Sequence, residues 1–487
     1  MKRVYQIKYI YALVAGLLVL AGTGCKKSFL EVSPSDAIAV NDAFSSEEKL
    51  DASMIGIYDL LTYSGYTNNI ILNGDVKGED VMVNSTNNYN RFVAGYQYVE
   101  TINSGELQDH WQYSYRIIAN CNKLIENVPN SPVSDDLKAK YIAEARAMRA
   151  YAHFQLVREF AKPYALDPNA LGVPVVEKSL GANDKFPARA KVSEVYTSIV
   201  NDLNFAVENF PANARTGTYR LSLNAIEGLL ARVYLTMGDW EQASTYAKLA
   251  RVGYPLASGD DLLKGFADPT SEWIWSFDMR SDDNQGYLQV ASFYDPYDQG
   301  YSSFRATKEF FARFSDDDVR KNQFRIPDDG PGADPKIGDH YILGDGYLMS
   351  KFIFRGAWDN DQVLMRSAEM YLIEAEAEAR MGSAANVEAA RNALFAVQKR
   401  SIPTATLSTK SGQALVDEIL LERRKELFGE GHRYYDILRT LQPLDRRGSA
   451  SHWKIFDPAL QPGDNRFALP IPQREINANT NIEQNPL

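Results

Sequence analysis

Apolar positions recur every three or four residues in several long stretches of the chain, the period of an amphipathic helix. Between Lys138 and Lys162 the recurring set is Tyr141, Ala145, Met148, Ala152, Leu156 and Phe160, and Pro163 closes the helix. From Leu223 to Met237 one stripe is formed by Ile226, Leu229, Leu230, Val233, Tyr234 and Met237. Gly238-Asp239 then turns the chain into a second helix, Trp240 to Arg251, with Ala243, Ala247 and Ala250 on one face. The same plan returns where Leu364, Ala368, Tyr371, Leu372, Ala375 and Ala379 line a helix that stops at Met381-Gly382, after which Val387 to Lys399 runs back. Trp273-Ile274-Trp275-Ser276-Phe277 instead alternates large residues around Ile274 and Ser276, which suits a short strand with one buried face.

Each first helix ends in Met-Gly, and alanines stand where two helices must approach closely, a pattern similar to tetratricopeptide repeats. Their spacing is irregular, so a tandem array is not expected. Between the hairpins the texture changes. Residues 64–104 are rich in Asn, Gly and Tyr, residues 278–305 combine Asp282-Asp283-Asn284-Gln285-Gly286 with Tyr287, Tyr294, Tyr297, Tyr301 and Phe304, and a third stretch runs from Asp328 to Asn360. Loops this long in a compact chain are functional or disordered, and their aromatic content argues for function. The expected fold is mainly α: tetratricopeptide-like helical hairpins form a scaffold at about 105–255 and 362–440. Long irregular loops and a few short strands, at about 64–104 and 262–361, make a ligand face. An ordinary helical domain without a binding face would show the same periodicity.

The N-terminus adds an address. Lys2, Arg3 and Lys8 precede an apolar run from Ile10 to Ala21, too short to span a bilayer, and small residues lead to Cys25. Residues 1–24 read as a lipoprotein signal peptide and Cys25 as the lipidated first residue of a single domain, 25–487. Gly22 stands where such signals usually carry an aliphatic residue, so an ordinary cleaved signal or an uncleaved anchor is the alternative. The other cysteine, Cys121, lies in an apolar segment and reads as a small buried hydrophobe.

Charge and composition narrow the partners. Removing residues 1–24 takes away three positive charges and no acidic ones, moving the formal net charge from -11 to -14. Nucleic acid is disfavoured, because binding a phosphate backbone requires clustered Lys and Arg. Tyrosine is abundant, 28 against 22 Phe and 6 Trp, and much of it sits in polar segments. There a ring face with a hydroxyl edge suits a sugar or a peptide, although Tyr also packs well in cores.

Enzymatic signatures are missing. The five histidines show no His-Glu-x-x-His spacing, and neither a Gly-x-Ser-x-Gly elbow nor a Gly-Lys-Ser/Thr phosphate loop occurs. A glycosidase needs only two carboxylates about 5 to 10 Å apart, a pair that 63 acidic residues leave open. No metal or cofactor site is expected: Asp282-Asp283 and Asp316-Asp317-Asp318 do not follow the spacing of a calcium loop and read as solvated charge. The charge-dense run Glu422 to Arg439 is read as structural, with Glu422, Arg423, Glu426, Arg433 and Asp436 cross-linking two helices joined at Gly429-Glu430-Gly431. Glu144, Arg149, Arg366 and Glu369 are read the same way.

Six segments, in order along the chain, resemble the SusD/RagB family. They are Cys25-Lys26-Lys27-Ser28-Phe29-Leu30-Glu31 with Pro34, Tyr115 to Asn122, Glu144 to Tyr151, Arg366 to Ala377, Glu422 to Arg439, and Leu469-Pro470-Ile471-Pro472 followed by Asn485-Pro486. The resemblance implies a surface binding protein that captures oligosaccharides, or in some members peptides, and delivers them to a TonB-dependent SusC-like transporter of the outer membrane, to which it is tied by its lipid. It implies no enzyme activity. Lys26 and Lys27 stand where many surface-exported lipoproteins carry acids, which leaves outward placement as an expectation.

No family residue maps onto the ligand face. The candidates there come from the polar loops: Tyr89, Tyr96, Tyr294, Tyr297, Tyr301 and Trp358 for stacking on a pyranose, and Asn87, Asn88, Arg355 and Asp359 for its hydroxyls. A glycan binder of this charge disfavours sulfated or uronic ligands, and a peptide binder would prefer basic or neutral peptides. A helical-repeat adaptor without a small ligand would show an apolar groove instead.

Overall fold

The computed structural model describes residues 43–84, 88–181, 183–211, 217–295, 300–325 and 346–486. Cys25, Asn87 and Tyr297, and with them the signal peptide, lie outside the described residues. The scaffold is a succession of helices: α1 (Glu47–Thr62), α2 (Thr67–Val76), α3 (Gly105–Asn127), α4 (Asp135–Phe160), α5 (Val192–Asn209), α6 (Leu223–Met237), α7 (Trp240–Ala250), α8 (Ser367–Met381), α9 (Ala384–Ser401), α10 (Gly412–Glu426) and α11 (Arg433–Arg439). Each helix from α3 to α9 packs on the next, with α8 docked on α7 and α10 set against α8, so the hairpins form one continuous stack.

Local chemistry accounts for the hairpins. In α6 the Ser222 hydroxyl accepts the Ala225 N–H at the start, and Gly238 ends the helix with φ +79, a left-handed conformation that glycine adopts without strain. Asp239 caps α7 in turn. Ala243, Ala247 and Ala250 are fully buried, which lets α7 lie close on its neighbours. The pair α8–α9 repeats the device with Gly382 at φ +74 and a Ser383 cap. Cys121 is fully buried on α3, and burial drives its thiol far above the ordinary range, so it behaves as a core atom.

Among the described residues, six short strands complete the fold. β1 (Val81–Val83), β3 (Phe304–Thr307), β4 (Phe324–Arg325) and β5 (Gly346–Met349) form an antiparallel sheet in the order β1-β3-β5-β4, while β2 (Trp273–Phe277) pairs antiparallel with β6 (Gln362–Arg366). Two expectations change here. Leu364, read as the first position of a helical stripe, belongs to β6, because pairing with β2 claims residues 362–366 before α8 begins. All five residues of β2 are buried, since Tyr151 of α4 packs edge-on against Trp275 on one side and Phe266 contacts Trp273 on the other.

The stretch 64–104, read as loop, contains α2, β1 and a short helix, Val93–Gln97. Its asparagines act at long range: Asn68 Nδ2 donates to Gln285 Oε1 at 2.5 Å and to the Leu288 carbonyl at 2.7 Å. Gly74 lies so close to Gly431 that a Cβ there would stand 2.3 Å from its carbonyl oxygen.

The charge-dense run forms a buried ionic knot. Arg366, fully buried, bonds Glu272 at 3.0 Å, Glu426 at 2.5 Å and Glu430 at 2.7 Å, and Arg400 joins Glu272 and Glu426. Arg320 reaches Glu422 at 2.7 Å and Asp318 at 2.8 Å, while Arg423 holds Asp436 at 2.9 Å. Burial would raise the Glu430 carboxyl, but the Arg366 and Lys351 charges outweigh it and hold the group at about 2. Arg232 and His432 do the same for Glu369 against its burial, also to about 2. Arg149 on α4 pairs with Asp202 on α5, and Glu144 on α4 pairs with Arg220 just ahead of α6, so these residues fasten α4 to its neighbours as well. Such groups tolerate burial because each charge meets several partners.

Candidate functional site

A second core lies under the loop face and is strongly aromatic: Phe92, Phe293, Phe304, Phe352 and Phe354 are all nearly or fully buried. Above it, among the described residues, four aromatic rings reach solvent to different degrees. Tyr89 is 83% exposed, Tyr287 49% and Trp358 38%, and Tyr301 is half-buried among them. Ring centroids are 6.3 Å apart from Tyr89 to Tyr301, 6.2 Å from Tyr301 to Tyr287 and 5.6 Å from Tyr287 to Trp358. Phe293 backs Tyr301 at 5.0 Å and Phe354 backs Tyr287 at 5.8 Å, so the exposed rings rest on rigid ones.

The backbone holds two of these aromatics in conformations that side chains rarely adopt. Tyr89 has φ +55 and Trp358 φ +60, a left-handed geometry that costs about 1–3 kcal/mol and persists where neighbours enforce it. The enforcing groups are asparagines. Asn88 Nδ2 donates to the Arg91 carbonyl at 2.9 Å, and Arg91 N donates to the Asn88 carbonyl at 3.0 Å. On the other loop, Arg355 N donates to Asn360 Oδ1 at 2.8 Å, Asn360 Nδ2 to the Ile353 carbonyl at 2.7 Å, and Gln289 Nε2 to the Trp358 carbonyl.

Charged groups border this platform. The Arg91 guanidinium lies 5.8 Å from the Tyr301 ring centre, within cation–π range. Arg355 pairs with Asp268 and, at 3.7 Å, with Asp359, which places a mixed-charge rim beside Trp358. Burial, helped by Asp278 and Asp268 and opposed by bonds from Met279 N and Tyr219, pushes the nearby Asp361 carboxyl up to about 6. The arrangement offers ring faces for apolar C–H surfaces and a fringe of donors and acceptors for hydroxyls.

Of the residues expected here, Tyr89, Tyr301, Arg355, Trp358 and Asp359 come together on this face. Three do not serve as contacts. Tyr96 is fully buried, its hydroxyl 2.8 Å from His452 Nδ1 and its ring under Arg446. Tyr294 is equally buried and donates to Asp75 Oδ2 at 2.8 Å, and Asn88 is buried as the pin of the Tyr89 turn. Tyr287, Arg91 and Asn360 were not among the candidates; the aromatic that follows Asp-Asp-Asn-Gln-Gly was the available signal for Tyr287.

Among the described residues no cluster of three or more His, Cys, Asp or Glu is arranged to hold a metal. Asp318 is taken up by Arg320 and Lys425, and Asp316 by Lys321.

Comparison with known proteins gives consistent matches. The SusD family model matches residues 344–487, and a model described as "Starch-binding associating with outer membrane" matches residues 28–235. A SusD-like protein of Bacteroides ovatus is 29% identical over 237 residues, which covers 47% of this chain and 40% of that protein. SusD-like protein P38 of Formosa agariphila is 24% identical across 100% of this chain and 99% of its own. The solved structure of a SusD superfamily protein from Bacteroides thetaiotaomicron matches with a TM-score of 0.79 at 27% identity, covering 90% of this chain and 100% of that one.

Proposed function

Because the chain belongs to the SusD family, we propose that it is a binding protein that captures oligosaccharides on the Tyr89–Tyr301–Tyr287–Trp358 platform. It works without turning them over and delivers them to a SusC-like TonB-dependent transporter. A lipid on Cys25 holds it to the outer membrane, facing the cell exterior. The observation that carries this reading is the row of exposed rings, two of them kept in left-handed backbone by buried asparagines. A flat ring excludes water from the C–H face of a pyranose, and the apolar surface so covered contributes about 25 cal/mol per Å². Several in a row give useful affinity without any deep pocket. The mixed rim of Arg91, Arg355 and Asp359 supplies donors and acceptors for hydroxyl groups.

The test is calorimetric titration of the protein with neutral and acidic oligosaccharides and with short peptides, recovering each ligand afterwards. An intact oligosaccharide binds, and Tyr287→Ala and Trp358→Ala each weaken it by up to about tenfold. Equal binding by both variants removes the platform from the account. Binding of peptides alone changes the ligand class, and recovery of cleaved sugar makes the protein a hydrolase.

A further inference from the structure

Inside the scaffold, between α4, α6, α8 and the turn from α10 to α11, lies a cavity of 70 Å³ in which capture at the platform plays no part. Pockets for drug-sized ligands start at about 300 Å³, so this one suits a small inorganic ion or a few waters. Arg158 and Thr236, both in its lining, are only partly buried, which leaves a way in from solvent.

Two guanidinium groups of this lining are incompletely bonded. Arg423 is 4% exposed; its Nε donates to Asp436 at 2.9 Å and its Nη2 meets His432 Nδ1 at 3.4 Å, while its buried Nη1 has no hydrogen-bond partner. Arg158 lies 3.7 Å from the Tyr435 ring centre and 4.4 Å from that of Phe154. Its Nη2 donates to Gln155, but its buried Nε also lacks a partner. Leaving a buried N–H unbonded is costly, so both groups call for an acceptor in the cavity.

Charge narrows the choice of acceptor. The lining sets four arginines, Arg158, Arg232, Arg423 and Arg439, against three carboxylates, Glu369, Glu430 and Asp436. Each carboxylate is already met twice. Glu369 has Arg232 at 2.6 Å and Arg423 at 3.7 Å, Asp436 has Arg423 at 2.9 Å and Arg439 at 2.7 Å, and Glu430 has Arg366 at 2.7 Å and Lys351 at 2.6 Å. Burial lowers the His432 imidazole to about 4, which leaves it neutral at pH 7. Arg158 is the surplus cation. Among the described residues no carboxylate pairs with it, and Glu159, next along α4, bonds the Tyr435 hydroxyl and faces Lys77 at 3.9 Å instead. Water satisfies N–H groups but brings no charge, and a doubly charged phosphate meets repulsion from three carboxylates. A single negative charge of small radius matches a surplus of one.

We propose that this cavity is a buried anion site that takes chloride, bonded by Arg158 Nε and Arg423 Nη1. The ion fastens α4 to α10 through charge-assisted hydrogen bonds, and its occupancy tunes the stability of the scaffold without touching the platform. The site does not depend on what the platform binds.

The test is urea unfolding at pH 7 and fixed ionic strength, with sodium gluconate, whose anion is too bulky for the cavity, exchanged for sodium chloride. For a Kd of about 10 mM, going from about 1 to about 100 mM chloride raises the folded-to-unfolded ratio about tenfold. Arg158→Gln, which removes the surplus charge, abolishes the rise. In crystals grown with bromide in place of chloride, an anomalous peak stands within hydrogen-bonding distance of Arg158 Nε and Arg423 Nη1. A ratio that does not respond to chloride overturns the proposal, and a bromide peak accompanying it marks an adventitious ion only. A rise that survives Arg158→Gln puts the ion elsewhere and also overturns it, as does cavity density without anomalous signal, which is water. If Arg158→Gln does not fold, the bromide peak and the titration of the unsubstituted protein decide together.

Discussion

The ionic knot around Arg366 and the aromatic platform around Tyr287 use opposite means to fix side chains. In the knot, charged residues that would be expected on the surface are buried and consume one another: Arg366 spends its guanidinium on Glu272, Glu426 and Glu430. On the platform, aromatics that would be expected in the core stand in solvent, held from beneath by Phe293, Phe354 and two buried asparagines. A run of Glu and Arg therefore marks architecture in this chain, and the proposed recognition surface is carried by rings. Ligand chemistry is best sought where apolar surface is left uncovered at some cost, not where charge is dense.

The sharpest way to break the contrast is to remove the centre of the knot. Arg366→Met leaves three carboxylates buried without their main cation, and loss of a buried partner typically costs about 3–5 kcal/mol. Denaturant unfolding should show a loss of that size, and a change below about 1 kcal/mol would mean that the carboxylates find other partners. A gentler probe is acid. Glu369 and Glu430 sit at about 2 when folded against an ordinary 4.5, so the folded state holds fewer protons than the unfolded chain between those values. Their stabilisation is complete above pH 4.5 and is lost progressively as pH falls toward 2, which denaturation midpoints measured across that window register. A midpoint that stays level there contradicts the knot's electrostatics.

On the platform the expected effects on stability are smaller. Trp358→Ala should leave the melting temperature almost unchanged while weakening oligosaccharide binding by about 0.5–1.5 kcal/mol, measured by calorimetry. A large fall in melting temperature would instead make Trp358 a structural ring. Smallest of all, Arg355→Ala breaks an exposed pair with Asp268 and should cost less than about 1 kcal/mol in thermal unfolding.

What could be read from sequence follows from the range of the forces involved. The pair α6–α7 was legible to the residue at Leu223, Met237 and Trp240, because its periodicity, caps and Gly238 turn are all local. The segment holding α2 was not, because Asn68 finds its partners at Gln285 and Leu288, more than two hundred residues away. Leu364 was misassigned for the same reason: strand pairing with β2 is invisible in a local window. At the site, composition located the right loops but not which way each ring faces. Tyr294 and Tyr301 lie in the same aromatic-rich stretch, yet one donates to buried Asp75 and the other joins the platform. Periodicity gives no signal in such irregular segments.

The ionic knot also sets a timetable for the growing chain. Its cations Arg320, Arg366 and Arg400 are synthesised first, and their carboxylates Glu422, Glu426 and Glu430 emerge together near the end. Until those last residues arrive, Glu272 and Asp318 are the knot's carboxylates already made, and three arginines face two acids. A chain stopped short of α10 therefore lacks three of the knot's five carboxylates, Glu422, Glu426 and Glu430, and its arginines keep fewer partners there.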